Sequence, residues 1–395
     1  MVIYLDYAAT APMPPAVITA YASALSLVGN PSSIHSQGQD AKRVLEESRE
    51  AVAASLGADR VEVTFTGGGT EAVNLGIKGL FWHAGAMEIA SQSRDASADG
   101  AVLRRLQTKN RILVPLAEHH ATIEAVEWLE KHEGAVIDWI PVDELGRIDL
   151  DYLAAHLGDD VALVTMLMAN NEIGTIQPVA EVAALAAGHD IPVHVDAIAA
   201  YGYLPIDFHA LGVAALSVSA HKIGGPVGIG ALVIGRGATI TPLVHGGSQQ
   251  RGRSGTQDAA GAAAFAAAVA LDHHVDSALR DRLIAGVQAS IPTAVLRGDP
   301  VDRLPGNAHF TFPGCEGDSL LFLLDSAGFS VSTGSACQAG VPEASHVLLA
   351  LGLDEATARG ALRFTIGPST TAAEVDALLE ALPAAVAQAQ RAGLS

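Results

Sequence analysis

"VALVTMLM" (residues 161–168) is apolar throughout except for one threonine. A strand with one wet face alternates polar and apolar side chains, so eight residues without alternation describe a strand buried on both faces. Such strands belong to parallel sheets covered by helices on either side. Similar runs precede it at "VEVTFT" (61–66), "RILVPL" (111–116) and "AVIDWIPV" (135–142), and follow it at "IPVHVDA" (191–197), "AALSVSA" (214–220) and "IGALVIG" (229–235). Candidate helices fall between them at 38–56, 70–80, 121–131 and 178–188. Repeated β then α predicts an α/β fold with a mainly parallel seven-stranded sheet.

After Thr256 the texture changes. An alanine-rich helical stretch (258–289) gives way to "AHFTFPG", "GFSVSTGSA" and "ALRFTIG", short strands separated by helices. The expectation is a large domain over 15–256 and a smaller α+β domain built from 257–395, with residues 1–14 packed against it as an arm. The 395 residues exceed what one core usually holds. The stretch 83–109 lacks a clean period and reads as a surface excursion.

Composition narrows the partners. Hydrophobic residues at 49% and charged residues at 17% describe a chain that folds. A net charge of −20, with no basic cluster longer than "RGR" (251–253), argues against nucleic acid and anionic membrane surfaces, both of which need concentrated positive charge. The start "MVIYLDYAAT" lacks a signal-peptide pattern and no uninterrupted apolar run approaches a membrane span, so a cytoplasmic location is expected. Cys315 and Cys337 are too few for a disulfide framework, and a reducing compartment keeps both as thiols.

Ligands of open α/β sheets bind at the carboxyl ends of the strands. "TFTGGGTEAVNL" (64–75) runs from a strand through glycines to Gly69 and Thr70, where backbone N–H groups at a helix start suit an anion; a tight turn with Thr70 as N-cap is the plain alternative. Asp196 ends "VHVDA", where a carboxylate needs a cation, a ligand or a helix to cap. In "SVSAHKIGGP" (217–226), Lys222 follows Ser219 and His221 at another strand end, as a snorkelling cation or as a nucleophile with a lowered pKa. Together these pieces suit pyridoxal 5′-phosphate: a helix start for the phosphate, an aspartate for the pyridinium nitrogen and a lysine for the Schiff base. His119 and His120 open a helix after a strand, where an imidazole stacks on a flat ring or caps. Asn171 offers a donor at the mouth of 161–168, whereas Asn170 shapes the turn.

The chain resembles cysteine desulfurases of the NifS/IscS-like kind, in the class V aminotransferase group of fold-type I pyridoxal-phosphate enzymes. The motifs "YLDYAAT", "NPSSIH", "FTGGGTEAVNL", "EHHA", "ANNEIGTIQP", "HVDA", "SAHK", "GPVGIGAL", "RSGT", "STGSAC", "SHVLLALG" and "ALRFTIG" carry it, in the family's order. The resemblance implies that Lys222 bears the cofactor, Asp196 faces the ring nitrogen, His119 stacks on the ring and Asn171 bonds its phenolic side. It further implies that Gly69, Thr70, Ser219 and His221 hold the phosphate, joined by Thr256 from the second subunit of a homodimer. Arg363 would clamp the substrate carboxylate, with Asn30 and His35 lining that pocket. Cys337 matches the persulfide-forming cysteine, set among small polar residues that fit an exposed, mobile thiol. L-cysteine would become L-alanine, with the sulfur passed to an acceptor or scaffold protein for iron–sulfur clusters or a dedicated sulfur-transfer pathway. Cys315 reads as core packing.

Several positions depart from the pattern. Ala199 stands where the family usually has glutamine, Gly225 and Val227 where tyrosine and lysine are common, Gln250 in place of glutamate, and Pro368 in place of an arginine. Two alternatives remain: another reaction on the same scaffold, such as an aminotransferase, selenocysteine lyase or β-lyase, or a non-catalytic scaffold homologue.

Overall fold

The computed structural model describes residues 2–95, 109–334 and 344–393, with side chains at 2–85, 109–334 and 344–391. In chain order the elements are β1 (Ile3–Tyr4), α1 (Pro15–Leu25), α2 (Ser36–Ser55), β2 (Val63–Thr66), α3 (Gly69–Asp95), β3 (Arg111–Pro115), α4 (His120–Glu133), β4 (Val136–Ile140), α5 (Leu150–His156), β5 (Val161–Leu167), α6 (Val179–Ala187), β6 (Val193–Asp196), α7 (Phe208–Leu211), β7 (Ala215–Ser219) and β8 (Gly230–Ile234). There follow α8 (Ala259–Val269), α9 (Ser277–Ser290), β9 (Val295–Arg297), β10 (Asn307–Thr311), α10 (Gly317–Ser326), β11 (Phe329–Ser330), α11 (His346–Ala350), α12 (Glu355–Arg359), β12 (Ala361–Thr365) and α13 (Ala372–Gly393).

The seven apolar runs form one seven-stranded sheet in the order β2-β8-β7-β6-β5-β3-β4. It is parallel except for β8, which runs against both of its neighbours. Every residue of β5, β6, β7 and β8 is buried, as the lack of alternation predicts. β4 differs: it lies at the sheet edge and buries only Ile140. Its Asp138 pairs at 2.7 Å with Arg111 of β3, so the apolar run there covers an edge with a charge on it.

Two further expectations are corrected by the helices. The surface excursion expected from residue 83 is helix as far as Asp95, because α3 runs on; residues 96–108 lie outside the described residues. The alanine-rich stretch 258–289 is two helices. Asp258 accepts from the Gly261 N–H at 2.8 Å and Asp276 from the Ala278 N–H at 2.9 Å, so each aspartate starts a helix and the run between them breaks.

A three-stranded antiparallel sheet, β12-β10-β9, supports the second core with α9, α10 and α13. β1 joins it from the far end of the chain: Ile3 and Tyr4 pair in parallel with Phe329 and Ser330, and Leu5 is buried in that core. α8 instead puts Ala262, Phe265 and Ala268 into the larger core, with Leu45 and Val52 of α2. No helix among the described residues is long and apolar enough to cross a membrane.

Candidate active site

The carboxyl ends of β5, β6 and β7 open on a cavity of about 230 Å³ whose wall includes Thr70, His119, Asn171, Asp196, His221 and Lys222. The strands thus bring most of the expected residues to one place. Asp196 is buried as the last residue of β6, and its Oδ1 accepts the Ile198 N–H at 2.9 Å, which fixes the carboxylate. Burial pushes its pKa up to about 6, against the pull of that hydrogen bond and of Lys222.

Lys222 sits in a tight 3-10 turn, Ala220–Ile223, which Gly224 closes with φ +77°. Its Nζ donates to the carbonyls of Ala8 at 2.5 Å and Ala9 at 3.1 Å, so the N-terminal arm caps the amine. The Tyr203 hydroxyl donates to the Lys222 carbonyl at 2.9 Å and pins the backbone. Burial, then the nearby Arg363 guanidinium, lower the Lys222 pKa to about 8, with Asp196 and Asp6 pulling the other way. An amine partly neutral near physiological pH is what the nucleophile reading of the lysine requires.

His119 takes the capping role considered for it and also faces the cavity. Its Nδ1 accepts the Ala121 N–H at 3.1 Å as the cap of α4, while the ring lines the cavity. Burial first, then Lys222, His120 and His346, lower its pKa to about 4. The ring is therefore neutral at pH 7 with its proton on Nε2, because Nδ1 is the acceptor. His120 packs against His346, ring centroids 4.6 Å apart.

The phosphate end is built around the start of α3. A Cβ on Gly69 would meet Ile198 Cδ1 and lie 3.2 Å from Ser219 Cβ, so glycine lets this helix start approach the end of β7 without moving either neighbour. Ser219 is buried and its Oγ has no partner among the described residues. Glu71 braces the glycine turn by accepting the Gly67 N–H and Arg253 Nε, each at 2.7 Å. The pairing with Arg253, 182 residues away, leaves no local signal in the sequence. His221 lines the same cavity with its pKa lowered to about 4 by burial and Lys222.

Arg363 is buried on β12, where Nη1 donates to the Asn171 carbonyl and Nη2 to Asp6 Oδ1, both at 2.8 Å; its Nε has no partner among the described residues. Asp6 is the residue that sequence reasoning missed here. Asn170 does shape the turn, as expected: Nδ2 donates to Ala117 and Oδ1 accepts from Glu172 and Ile173. Ala199 lines the cavity with a methyl group and no donor.

Ser219 and Arg363, placed above, are not among the residues that line this wall, and three further expected residues are also off it. Asn30 and His35 are exposed and occupied locally, Asn30 accepting from the Ser32 N–H and His35 from the Gly38 N–H at the start of α2. Thr256 is exposed, on a stretch tied to β2 through Gln250, whose side chain exchanges hydrogen bonds with the Phe65 backbone. Cys337 lies outside the described residues. Cys315 is buried in the smaller core, where burial pushes its thiol up.

The donors fit pyridoxal 5′-phosphate on the structure's own terms. An unpartnered buried hydroxyl and a helix start opened by glycine suit an anion, a buried carboxylate suits a protonated ring nitrogen, and an amine of lowered pKa suits an aldehyde.

A family described as aminotransferase class-V matches residues 3–98 and 90–378. An IscS-like cysteine desulfurase of Mycobacterium tuberculosis (strain ATCC 25618 / H37Rv) is 49% identical over 404 residues, spanning 99% of this chain and 98% of that one. A solved structure described as a NifS-like protein is 31% identical with a TM-score of 0.86, covering 98% of this chain and 100% of its own. Another, described as SspA in complex with cysteine, is 29% identical with a TM-score of 0.79 and covers 93% of this chain and 100% of its own.

Proposed function

The chain belongs to the class-V aminotransferases, and within them to the cysteine desulfurases; on that premise we propose that it converts L-cysteine to L-alanine and leaves the sulfur as a persulfide on Cys337. The observation that carries this reading is the shared cavity, which holds the Lys222 amine, the Asp196 carboxylate and the neutral His119 ring. When bound, pyridoxal 5′-phosphate supplies an aldehyde for the amino group and an electron-poor ring that stabilises charge at the substrate α-carbon.

The chain's own residues do the rest. Lys222, with its lowered pKa, serves as nucleophile when neutral and then carries the proton that leaves the α-carbon. Asp196, held by the Ile198 N–H, keeps the ring nitrogen protonated. His119 presents its face to the ring and keeps one proton on Nε2. Ser219, His221 and the N–H groups at Gly69 and Thr70 bind the phosphate, with Thr256 of a second subunit completing the set in a homodimer. Arg363 takes the substrate carboxylate: Asn171 and Asp6 each engage one terminal nitrogen and orient the fork, while Nε has no partner among the described residues. Asn30 and His35 border that pocket.

In the sulfur step the Cys337 thiolate forms an S–S bond with the substrate sulfur and the substrate C–S bond breaks. Its electron pair stays with carbon, which takes a proton and leaves as alanine. The persulfide then passes to an acceptor protein for iron–sulfur cluster assembly, in the cytoplasm. Residues 15–256 supply the cavity, and 1–14 with 257–395 supply Arg363 and Cys337.

The Cys337→Ala holoenzyme tests the reading. It keeps its visible cofactor absorbance and releases no alanine from cysteine above the buffer rate. Alanine release at the wild-type rate would overturn the reading in favour of a lyase that does not use this thiol.

A further inference from the structure

Glu118 is a buried carboxyl with no part in the chemistry above, and it precedes His119 in the chain. The edge of β5 accounts for its place. The register of β3 on β5 ends with Leu113 opposite Val164, and the chain after β3 then leans towards β4, where the Leu116 N–H donates to the Ile140 carbonyl at 3.1 Å. β5 runs on, buried, to Leu167. The Met168 N–H donates to the Asp196 carbonyl at 2.8 Å, so the Leu167 N–H faces away from β6, towards the side that β3 has left. A buried N–H there needs an acceptor. Glu118 supplies it: Oε1 accepts the Leu167 N–H at 2.8 Å.

On its other edge Leu167 is the register partner of Asp196, and it lines the cavity. One hydrogen bond therefore refers the segment that carries His119 to the strand pair that carries Asp196. Two more bonds hold the same segment: Asn170 Nδ2 donates to the Ala117 carbonyl at 2.8 Å and His346 Nε2 to the Glu118 carbonyl at 2.7 Å. Burial holds the Glu118 carboxyl well above the usual carboxylate range against the pull of the Leu167 N–H, and the nearby Asp196 adds to the rise. The Thr122 hydroxyl lies near enough to favour the charged form, yet neither it nor Glu118 Oε2 completes a hydrogen bond among the described residues. The Leu167 N–H is thus the one firm anchor of this side chain.

We propose that Glu118 is a positioning residue for the cofactor ring: by tying the end of β3 to Leu167 it fixes the spacing between His119, which faces the ring, and Asp196, which meets its nitrogen. This rests on the reading of His119 and Asp196 as the groups that meet that ring.

Closing a strand edge shows as stability alone, whereas positioning also shows in the bound cofactor. Three holoenzymes separate the two. Glu118→Gln keeps an acceptor oxygen at the same reach, Glu118→Met fills the space without one, and Glu118→Asp keeps the carboxyl on a stem one methylene shorter. Each is compared with wild type by melting temperature, by visible circular dichroism per bound cofactor, and by kcat and KM for cysteine. Glu118→Met is expected to weaken the dichroism and to lower kcat about tenfold at near-constant KM, while Glu118→Gln keeps the wild-type signal and stays within about twofold in kcat. If Glu118→Met does not fold, Glu118→Asp takes its place and should show the same changes at about threefold. A folded variant of that pair that melts earlier but keeps wild-type dichroism and kcat reduces the carboxyl to a strand cap and overturns the inference. So does a Glu118→Gln protein as impaired as Glu118→Met or Glu118→Asp, because the acceptor would then not be what matters. If the His119→Ala holoenzyme keeps the wild-type dichroism, the reading beneath the inference falls instead.

Discussion

At the scale of the residue, Lys222 is the group whose state decides whether the site can be loaded. Its pKa near 8, against an ordinary 10.5, means that the neutral amine appears more than two pH units earlier than on an exposed lysine. The rate at which the cofactor-free chain acquires its visible absorbance should therefore rise with pH and reach half its maximum near 8. A stopped-flow series that keeps climbing to pH 10 would show an amine that burial has not shifted. Lys222, Asp196 and His119 were legible in the sequence because each is a polar residue following an apolar strand, where chemistry is the cheapest explanation. Asp6 and Glu118 were not. Asp6 meets Arg363 across 357 residues and Glu118 meets Leu167 across 49, separations that no local pattern encodes.

Among the elements, the start of α3 is the most constrained. Gly69→Ala makes Ile198 swing aside and Ser219 give by a few tenths of an ångström at the helix start we propose for the phosphate, and should weaken cofactor binding about tenfold, measured by titrating the cofactor-free variant. Unchanged affinity would mean that the phosphate sits elsewhere. Strands were easy to read because burial on both faces removes alternation, and each run expected to be a strand contains one. Helix boundaries were harder. A period that fades after residue 82 hid the continuation of α3 to Asp95, and alanine, equally at home across 258–289, concealed a break that only the two capping aspartates reveal.

For the whole molecule, acid is the revealing stress. His194 is buried under the sheet between Thr165 and Ser217, with its pKa lowered by burial to about 3; His309 stands at about 3 and His119 at about 4. As pH falls below the ordinary 6.5, the unfolded chain takes up these protons first, so the stability from burying neutral rings is lost between about 6.5 and 3. Asp160, held below the usual carboxylate range by its bond to Arg111, acts in the same direction at lower pH. Asp196, raised to about 6, opposes them because the folded state binds its proton first, as does Glu118, which burial holds well above the usual range. His221, lowered to about 4, and Asp299 and Asp354, held below the usual carboxylate range by hydrogen bonds from nearby N–H groups, add to the first set, so the melting temperature of the cofactor-free chain is predicted to drop steadily below about pH 6, with a flat profile down to pH 4 as the disproving result. Composition gave the two-core architecture only in outline; which helix serves which core depends on packing that a single sequence does not display.

The pairing of the first strand with Phe329 and Ser330, and of Leu5 and Asp6 with β12, joins segments that lie far apart in the chain. The same arm carries the Ala8 and Ala9 carbonyls that cap Lys222. A disturbance of the smaller core thus has a mechanical line to the amine: whatever loosens β11 or β12 slackens the tether that holds those carbonyls in place.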